Sequence, residues 1–382
     1  PSIGTDSATA TASALAPNDG SDNPLLRITS PTFHLARVAR IVSQQDSEIG
    51  GYPEVMQQVE AEITTGEVVI ADYYLPLGAS SDRLLKTGQQ VVLLEQVLGD
   101  ESSFIVSDLY RLPSVMMIVA LFTFLLVIFA GWRGLTALLG LGVSIALLLY
   151  YVVPQIAAGA EPMTVSLIGS LLIAAVSLYL AHGWNRRTTI SLLGTLITLA
   201  LSVIAAVSFV SFAKLFGLGS EESLELQYGA ISGINLKGLL LAGMIIGALG
   251  VLDDITTAQA AAVDEIYKAN PKLSMSELYS RGMSVGREHI TSLVNTLALA
   301  YAGASLPMLL LFTVYKQPLW VTVNSEFIVE EVIRTMVGSL ALLLAVPITT
   351  WLAAYFIPRA KQIVKLDDAA DLTDRKPHSH RH

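Results

Sequence analysis

The sequence predicts a mainly α-helical integral membrane bundle of about seven transmembrane helices, preceded by a small N-terminal extracytoplasmic β-domain. Of the 382 residues, 53% are hydrophobic and 14% are charged. The apolar residues are gathered in runs of about 20, the length that crosses the hydrocarbon core of a bilayer. Residues 33–111 differ, because they form short β-branched runs separated by glycines and other turn residues.

The composition excludes several classes of protein. Cysteine is absent, which rules out a disulfide framework, a thiolate metal site and a cysteine nucleophile. The net charge of −9 argues against nucleic acid as a partner. Three histidines between His378 and His382 could hold a transition metal, or this run could be incidental in a polar tail, so the sequence leaves the metal content unknown.

Four segments follow from the changes in composition. Residues 1–32 are predicted to be a flexible tail. Residues 33–112 are predicted to form an extracytoplasmic small β-barrel-like domain, 113–358 a seven-span transmembrane domain, and 359–382 a cytoplasmic polar tail. Because the chain starts at a proline and a polar domain comes first, we expect a signal peptide or a further anchoring helix before residue 1.

Five strands are predicted in the β-domain, at 35–42, 55–64, 67–74, 90–96 and 103–107. In the second strand, Val59, Ala61 and Ile63 alternate with polar residues, a pattern typical of a strand that is buried on one face. A small closed or half-closed barrel accounts for this pattern. The domain is either a water-soluble structural cap or a module that binds a ligand or an envelope partner.

Seven spans are predicted, at 114–130, 135–153, 163–181, 188–210, 239–254, 290–314 and 332–357. Basic residues fall on one side of these spans: Arg133, Arg186, Arg187, Lys268, Lys272, Arg281, Arg287, Arg359, Lys361 and Lys365. Acidic residues collect on the other: Glu161, Glu221, Glu222, Glu225 and Glu326. Since basic loops stay in the cytoplasm, we expect the β-domain outside and the C-terminus in the cytoplasm.

The fifth predicted span carries two adjacent acids, Asp253 and Asp254. The apolar run 239–252 is short for a bilayer, so a helix that continues past it would place both carboxylates in the membrane. Together with Thr257 they offer hard oxygen ligands for a cation or a proton. The alternative is a helix that has left the hydrocarbon, with solvated acids. Three glycines in this run predict a close approach of another helix or of a substrate to the backbone: Gly243, Gly247 and Gly250.

The sixth predicted span has a polar stripe at Glu288, Thr291, Ser292 and Asn295, with spacing i, i+3, i+4 and i+7. Asn295 lies deep in this span, so we expect it to face the aspartate-bearing helix and to form a hydrogen bond there.

Four further residues could gate such a site or form ion pairs near it. Arg287 or His289 could form an ion pair with the aspartates, and His289 could also relay protons. Glu331 and Arg334 are three residues apart in the last span, which predicts an ion pair at its outer end.

Several stretches carry a family resemblance. They are Asp108-Leu-Tyr-Arg-Leu-Pro113, Gly131-Trp-Arg-Gly-Leu-Thr-Ala-Leu-Leu-Gly140, the run from Gly243 to Asp254, and Gly303-Ala-Ser-Leu-Pro307. With them the chain resembles the YibE/F family of bacterial membrane proteins, from the β-domain (Leu85-Lys-Thr-Gly-Gln-Gln-Val-Val) to the last span (Val337-Gly-Ser-Leu and Val346-Pro347). The resemblance implies a polytopic plasma-membrane protein, and members are described as transporters or have no assigned function.

No enzyme motif is present: the sequence has no Walker loop, no Gly-x-Ser-x-Gly and no His-Glu-x-x-His, so we expect neither an enzyme nor a cofactor. The predicted function is an ion-coupled transporter of an unidentified solute or ion, in contact with the lipid bilayer and with its site between spans five, six and seven. The predicted binding residues are Asp253, Asp254, Thr257, Glu288 and Asn295. The alternative is a non-transporting accessory or scaffold protein whose β-domain binds an envelope partner. The sequence leaves the oligomeric state open.

Overall fold

The computed structural model describes residues 32–49, 52–76, 81–98, 101–228, 233–314, 316 and 318–374. The predicted N-terminal tail up to residue 31 and the histidine-rich end lie outside the described residues. The chain divides into two compact units, Pro1–Phe122 and Thr123–His382.

The first unit contains a closed five-stranded barrel. Its strands are β1 Thr32–Ile49, β2 Tyr52–Ile63, β3 Val68–Pro76, β4 Gln90–Leu98 and β5 Glu101–Leu109. They are ordered β1-β2-β3-β5-β4 around the barrel, with a parallel β3–β5 pair and antiparallel pairs elsewhere. This order is that of the Greek-key barrels of the OB type. The prediction of a small β-domain is therefore confirmed.

Alternate residues of each strand fill the barrel. Val59, Ala61 and Ile63 are buried in its core, as the period of two predicts. Gln57 is also buried, and its amide bonds the backbone of the segment between β3 and β4: Oε1 accepts from Leu85 N at 2.8 Å and Nε2 donates to Leu85 O at 3.2 Å. This pair of bonds fixes Leu85 in the core.

Helices make up the rest of the described chain. They are α1 Leu112–Ala130, α2 Trp132–Leu147, a π-helical turn Leu148–Val152, α3 Val153–Ala157, α4 Pro162–His182, α5 Arg186–Phe212, α6 Glu221–Tyr228, α7 Leu236–Ala269, α8 Met275–Ala304, α9 Leu306–Val314, α10 Leu319–Asn324 and α11 Glu326–Asp374. Within the described residues, six helical segments are long and apolar enough to cross a membrane, and the pair α8–α9, bent by 56°, makes a seventh when taken as one span. The prediction of about seven spans is confirmed.

Three elements differ from the predicted spans. α7 continues through both aspartates to Ala269, so the apolar run is the first half of a 34-residue helix. The sixth span is broken at Ser305, just before Pro307, which lacks a backbone N–H for a helical hydrogen bond. α11 continues beyond residue 359 to Asp374, so the predicted polar tail begins as helix.

α7 and α11 form the centre of the second unit. α7 packs on α4, α5, α8 and α11, while α11 also packs on α5 and α8. Their contact is apolar along most of its length, with α7 residues such as Leu249 and Leu252 against α11 residues such as Leu342 and Val346. Any polar group between these helices therefore lies in a dry environment.

Candidate functional site

Asp253 lies where α7 packs on α4. Ser177 Oγ on α4 donates a hydrogen bond to Asp253 Oδ2 at 3.4 Å, which is long for an O–H···O bond. The other oxygen, Oδ1, is buried and has no hydrogen-bond partner among the described residues. No ion pair to Asp253 is found in the described part of the chain either. The carboxylate is thus held in the bundle without a strong donor.

Thr257 lies one helical turn beyond Asp253 and on the same side of α7. Its Oγ1 is buried and, in the described ranges, has no partner. Gly140 of α2 also comes close here, because a Cβ added to it would lie 3.4 Å from Ser177 Oγ. Three side-chain oxygens with unused bonding capacity are therefore present on the facing helices: Asp253 Oδ1, Thr257 Oγ1 and Ser177 Oγ.

Asp254 points about 100° away around the helix and is exposed. It interacts electrostatically with His182, the last residue of α4. The two neighbouring carboxylates therefore have different surroundings, one buried against Ser177 and one open near His182.

The polar stripe of α8 lies away from this site. Glu288, Thr291, Ser292 and Asn295 are all exposed. α8 instead packs through Gly282, Gly286 and a row of apolar residues: Ile290, Leu293, Val294 and Leu297. Within the described residues Asn295 makes no hydrogen bond with α7, and the four side chains of the stripe are not brought together with Asp253. Asp253 contacts span three instead.

The gating candidates on α8 make no ion pair with the aspartates in the described part of the chain. Arg287 is exposed, and His289 is half-buried with its Nδ1 lacking a partner within the described chain. Neither forms an ion pair with Asp253 or Asp254 in the described ranges. Glu331 and Arg334 do form an ion pair, with Arg334 Nη1 2.7 Å from Glu331 Oε1.

The close approach of helices occurs at other glycines than those predicted. Among the described residues, a Cβ added to Gly243 or Gly250 would meet no atom within 4 Å, and one added to Gly247 would meet only Tyr301 Oη, at 3.4 Å. At Gly282, by contrast, it would lie 2.8 Å from side-chain atoms of α7 and α11, and Gly286 is packed against Val346. Gly282 and Gly286 of α8 are therefore closely packed in the core, and the three glycines of α7 are not.

A second polar cluster ties four helices together around Gln259. This α7 side chain is fully buried, and its Nε2 donates to Gly282 O on α8 at 2.8 Å and to Thr350 Oγ1 on α11 at 2.7 Å. One turn earlier, Thr256 Oγ1 shares a 2.8 Å hydrogen bond with Thr195 on α5. These bonds connect α7 to α5, α8 and α11, while Gln259 Oε1 is buried and has no partner among the described residues.

Ser177 and His182 are the site residues that the sequence analysis missed. Both belong to α4, more than 70 positions before Asp253. The sequence does contain a pattern that indicates Ser177: Ser166, Ser170 and Ser177 are spaced i, i+4 and i+11, which places them on one face of an otherwise apolar helix. All three lie on the side of α4 that is buried or bonded to α7.

These observations define a multi-pass helical membrane protein with a carboxylate buried inside the bundle and a separate five-stranded barrel. Residues 118–359 match the family model described as YibE/F-like protein, and the chain belongs to that family. The match starts within α1 and ends within α11, so it covers none of the barrel strands. Neither a search of curated proteins nor a search of solved structures finds a match.

Proposed function

We propose that the protein is an ion-coupled membrane transporter of an unidentified solute or ion, and that Asp253 binds the coupling proton or cation between α4 and α7. The supporting observation is the buried Oδ1 of Asp253, which has no partner among the described residues and belongs to a helix that is long and apolar enough to cross a membrane. An ionised carboxylate without a counter-charge costs several kcal/mol in such surroundings. Asp253 is therefore stable there when it carries a proton or binds a cation.

The ligand set favours a proton or a monovalent cation. Ca²⁺ takes six to eight oxygen ligands, whereas the side chains around Asp253 offer its own two oxygens with Thr257 Oγ1 and Ser177 Oγ. Asp254, which is exposed near His182, would exchange the ion with water on the same side. Glu288 and Asn295 have no part in this proposal, since both are exposed on α8.

The orientation is part of the proposal. Basic residues near Asp254 and His182, among them Arg133 and Arg187, favour the cytoplasm for this end of the bundle. By the same rule the barrel would be outside and the C-terminus in the cytoplasm of a bacterium. Ion exchange at Asp254 would then occur on the cytoplasmic side.

The test is solid-supported-membrane electrophysiology on the reconstituted full chain, with a screen of ions and small solutes. We expect an ion-dependent current that is lost in Asp253→Asn and kept in Glu288→Gln, a charge-matched change on the exposed face of α8. Folding of each variant is checked by its thermal unfolding in detergent. If folded wild-type protein gives no current for any solute, or if Asp253→Asn transports normally, the proposal is wrong. An absence of current from folded wild-type protein would favour the alternative function, an accessory protein whose barrel binds an envelope partner.

A further inference from the structure

A cavity of about 770 Å³ lies near the start of α7, far from Asp253. It is bounded by Leu240 of α7, by Ser305 and Met308 at the α8–α9 bend, and by Phe327 and Glu330 of α11. Asp253 is 13 residues beyond Leu240, or about 20 Å along the helix axis. The volume is in the range of small-molecule sites, about 300–1,000 Å³. The cavity is therefore a separate site with room for an organic ligand.

The bend of the sixth span contributes one wall. α9 turns by 56° from the direction of α8 at Ser305, and residues on both sides of this break line the cavity. A straight helix would run on through the bundle without this change of direction. The break thus provides a wall that faces α11.

The segment between α5 and α6 also lines the cavity, and two carboxylates of α11 hold it. Glu326 Oε1 accepts hydrogen bonds from three consecutive backbone N–H groups, those of Phe216, Gly217 and Leu218. Glu330 Oε1 accepts one from Gly219 N at 3.0 Å. These bonds hold the segment against α11 and fix the Glu330 carboxylate at the cavity wall.

The charge of the lining is negative. The cavity is lined by four carboxylates and one guanidinium, those of Glu221, Glu222, Glu330, Glu331 and Arg334. With 4 negative charges and 1 positive charge, the formal net charge of the lining is −3. Arg334 is already paired with Glu331. Glu330 is 5% exposed, and within the described residues no Lys, Arg or His forms an ion pair with it. Arg334 acts electrostatically on Glu330 without forming an ion pair with it, and the excess of carboxylates over guanidinium in the lining favours the binding of a cation.

We propose that this cavity binds an organic ammonium ion. The ammonium group would lie against Glu330, and the alkyl part would contact Met308 and the ring of Phe327, whose face attracts a cation. A bare metal ion fits less well, because no group of three His, Asp or Glu side chains in the described ranges is arranged to hold one. The proposal concerns equilibrium binding and is independent of the proposed ion site at Asp253.

The test uses radiolabelled choline and the purified full chain in detergent, with binding measured by scintillation proximity. We expect saturable binding that tetramethylammonium displaces and that 3,3-dimethyl-1-butanol, the uncharged isostere of choline, does not. Glu330→Gln keeps an oxygen for Gly219 N but removes the charge, so it should weaken choline binding by ~tenfold or more. Glu225→Gln removes a charge from α6 outside the lining and should leave the affinity unchanged.

One further variant distinguishes choline bound in this cavity from choline bound elsewhere on the chain. Ser305→Phe fills the cavity without a change of charge and should also reduce choline binding. Choline binding is measured at equilibrium and without an ion gradient, so a failed transport proposal leaves this result unaffected. The inference is overturned if wild type does not bind choline, or if the uncharged isostere displaces choline as well as tetramethylammonium does. It is also overturned if NaCl or MgCl₂ competes better than tetramethylammonium at equal ionic strength. Equal choline affinities of Glu330→Gln and Glu225→Gln would overturn it as well.

Discussion

Ser177 and Asp253, 76 residues apart in sequence, connect the third and fifth spans through a hydrogen bond of 3.4 Å. If Asp253 binds the coupling ion, the Ser177 hydroxyl either ligates the ion or bonds the carboxylate in the empty state. A hydrogen bond of this kind is worth about 0.5–1.5 kcal/mol, which corresponds to roughly 2–10-fold in affinity.

Ser177→Ala should therefore weaken the apparent affinity for the coupling ion by ~2–10-fold while the maximal current is kept. The dependence of the current on ion concentration measures this effect. Ser166→Ala is the matched control, because Ser166 is buried on the same helix and its hydroxyl has no partner in the described chain. Equal affinities for the two variants would remove Ser177 from the site.

Asn295→Leu should leave the ion-dependent current and its ion affinity unchanged. Asn295 is exposed on α8, on the face opposite to the one that packs in the bundle. If this exposed face of α8 contacts lipid, replacing its amide by an apolar side chain also removes a desolvation cost, so thermal stability should be equal or higher. A loss of current with intact folding would show that Asn295 has a partner outside the single chain.

The glycines of α7 and α8 should respond differently to the same substitution. Gly286→Ala should destabilise the protein by about 1–3 kcal/mol, because its Cβ would overlap Val346 of α11. Gly243→Ala meets open space and should be neutral or stabilising by up to about 1 kcal/mol, since alanine is the better helix former. Thermal unfolding in detergent compares them. Similar losses of stability in both would contradict the packing described for α8.

The spans and strands could be predicted because each depends on a local pattern. A run of about 20 apolar residues is sufficient for a span, and the alternation around Val59 is sufficient for a strand. The orientation of α8, in contrast, depends on its contacts with other helices. Its packing face is set by the close approach at Gly282 and Gly286 and by the Gln259 amide that bonds Gly282 O. No local pattern reports such a contact.

The polar stripe of α8 was misleading for a related reason. Thr291 Oγ1 donates to Arg287 O, one turn earlier in the same helix, at 3.1 Å. A hydroxyl that bonds its own helix needs no partner on another, so it can face lipid at little cost. Partners for Asp253 on α4 could not be identified from α7 alone, since only the fold brings Ser177 beside it.

Gln57→Leu should destabilise the barrel by about 2–4 kcal/mol. The change removes both hydrogen bonds to Leu85 and leaves a buried N–H and C=O without partners. Gln58→Leu is the control, because Gln58 is only partly buried and its amide bonds the Asp72 side chain rather than backbone. Limited proteolysis of the full chain should show faster cleavage between residues 33 and 111 in Gln57→Leu than in Gln58→Leu. Equal cleavage rates would show that the Gln57 amide is dispensable.

The barrel also has a carboxylate whose titration can be tested. His34 Nε2 lies 2.8 Å from Glu95 Oε2, and Ser102 Oγ donates to Glu95 Oε1 at 3.0 Å. These hydrogen bonds, that of His34 first, hold the pKa of Glu95 below its ordinary value of 4.5. Since the folded pKa is lower than the unfolded one, the stabilisation is complete above about pH 4.5 and is lost as the pH falls through the folded pKa.

His34→Ala should therefore raise the pKa of Glu95 toward 4.5, and Ser102→Ala should raise it less, because the His34 bond is the larger cause. The measurement is a pH titration of the ¹³C-labelled Glu carboxyl groups by NMR, with the Glu95 signal assigned from its absence in Glu95→Gln. In the same variants the barrel should become less sensitive to acid between pH 4.5 and the wild-type pKa of Glu95, because less stabilisation remains to be lost there. A Glu95 titration that is unchanged in His34→Ala would mean that the hydrogen bond between β1 and β4 does not persist in solution.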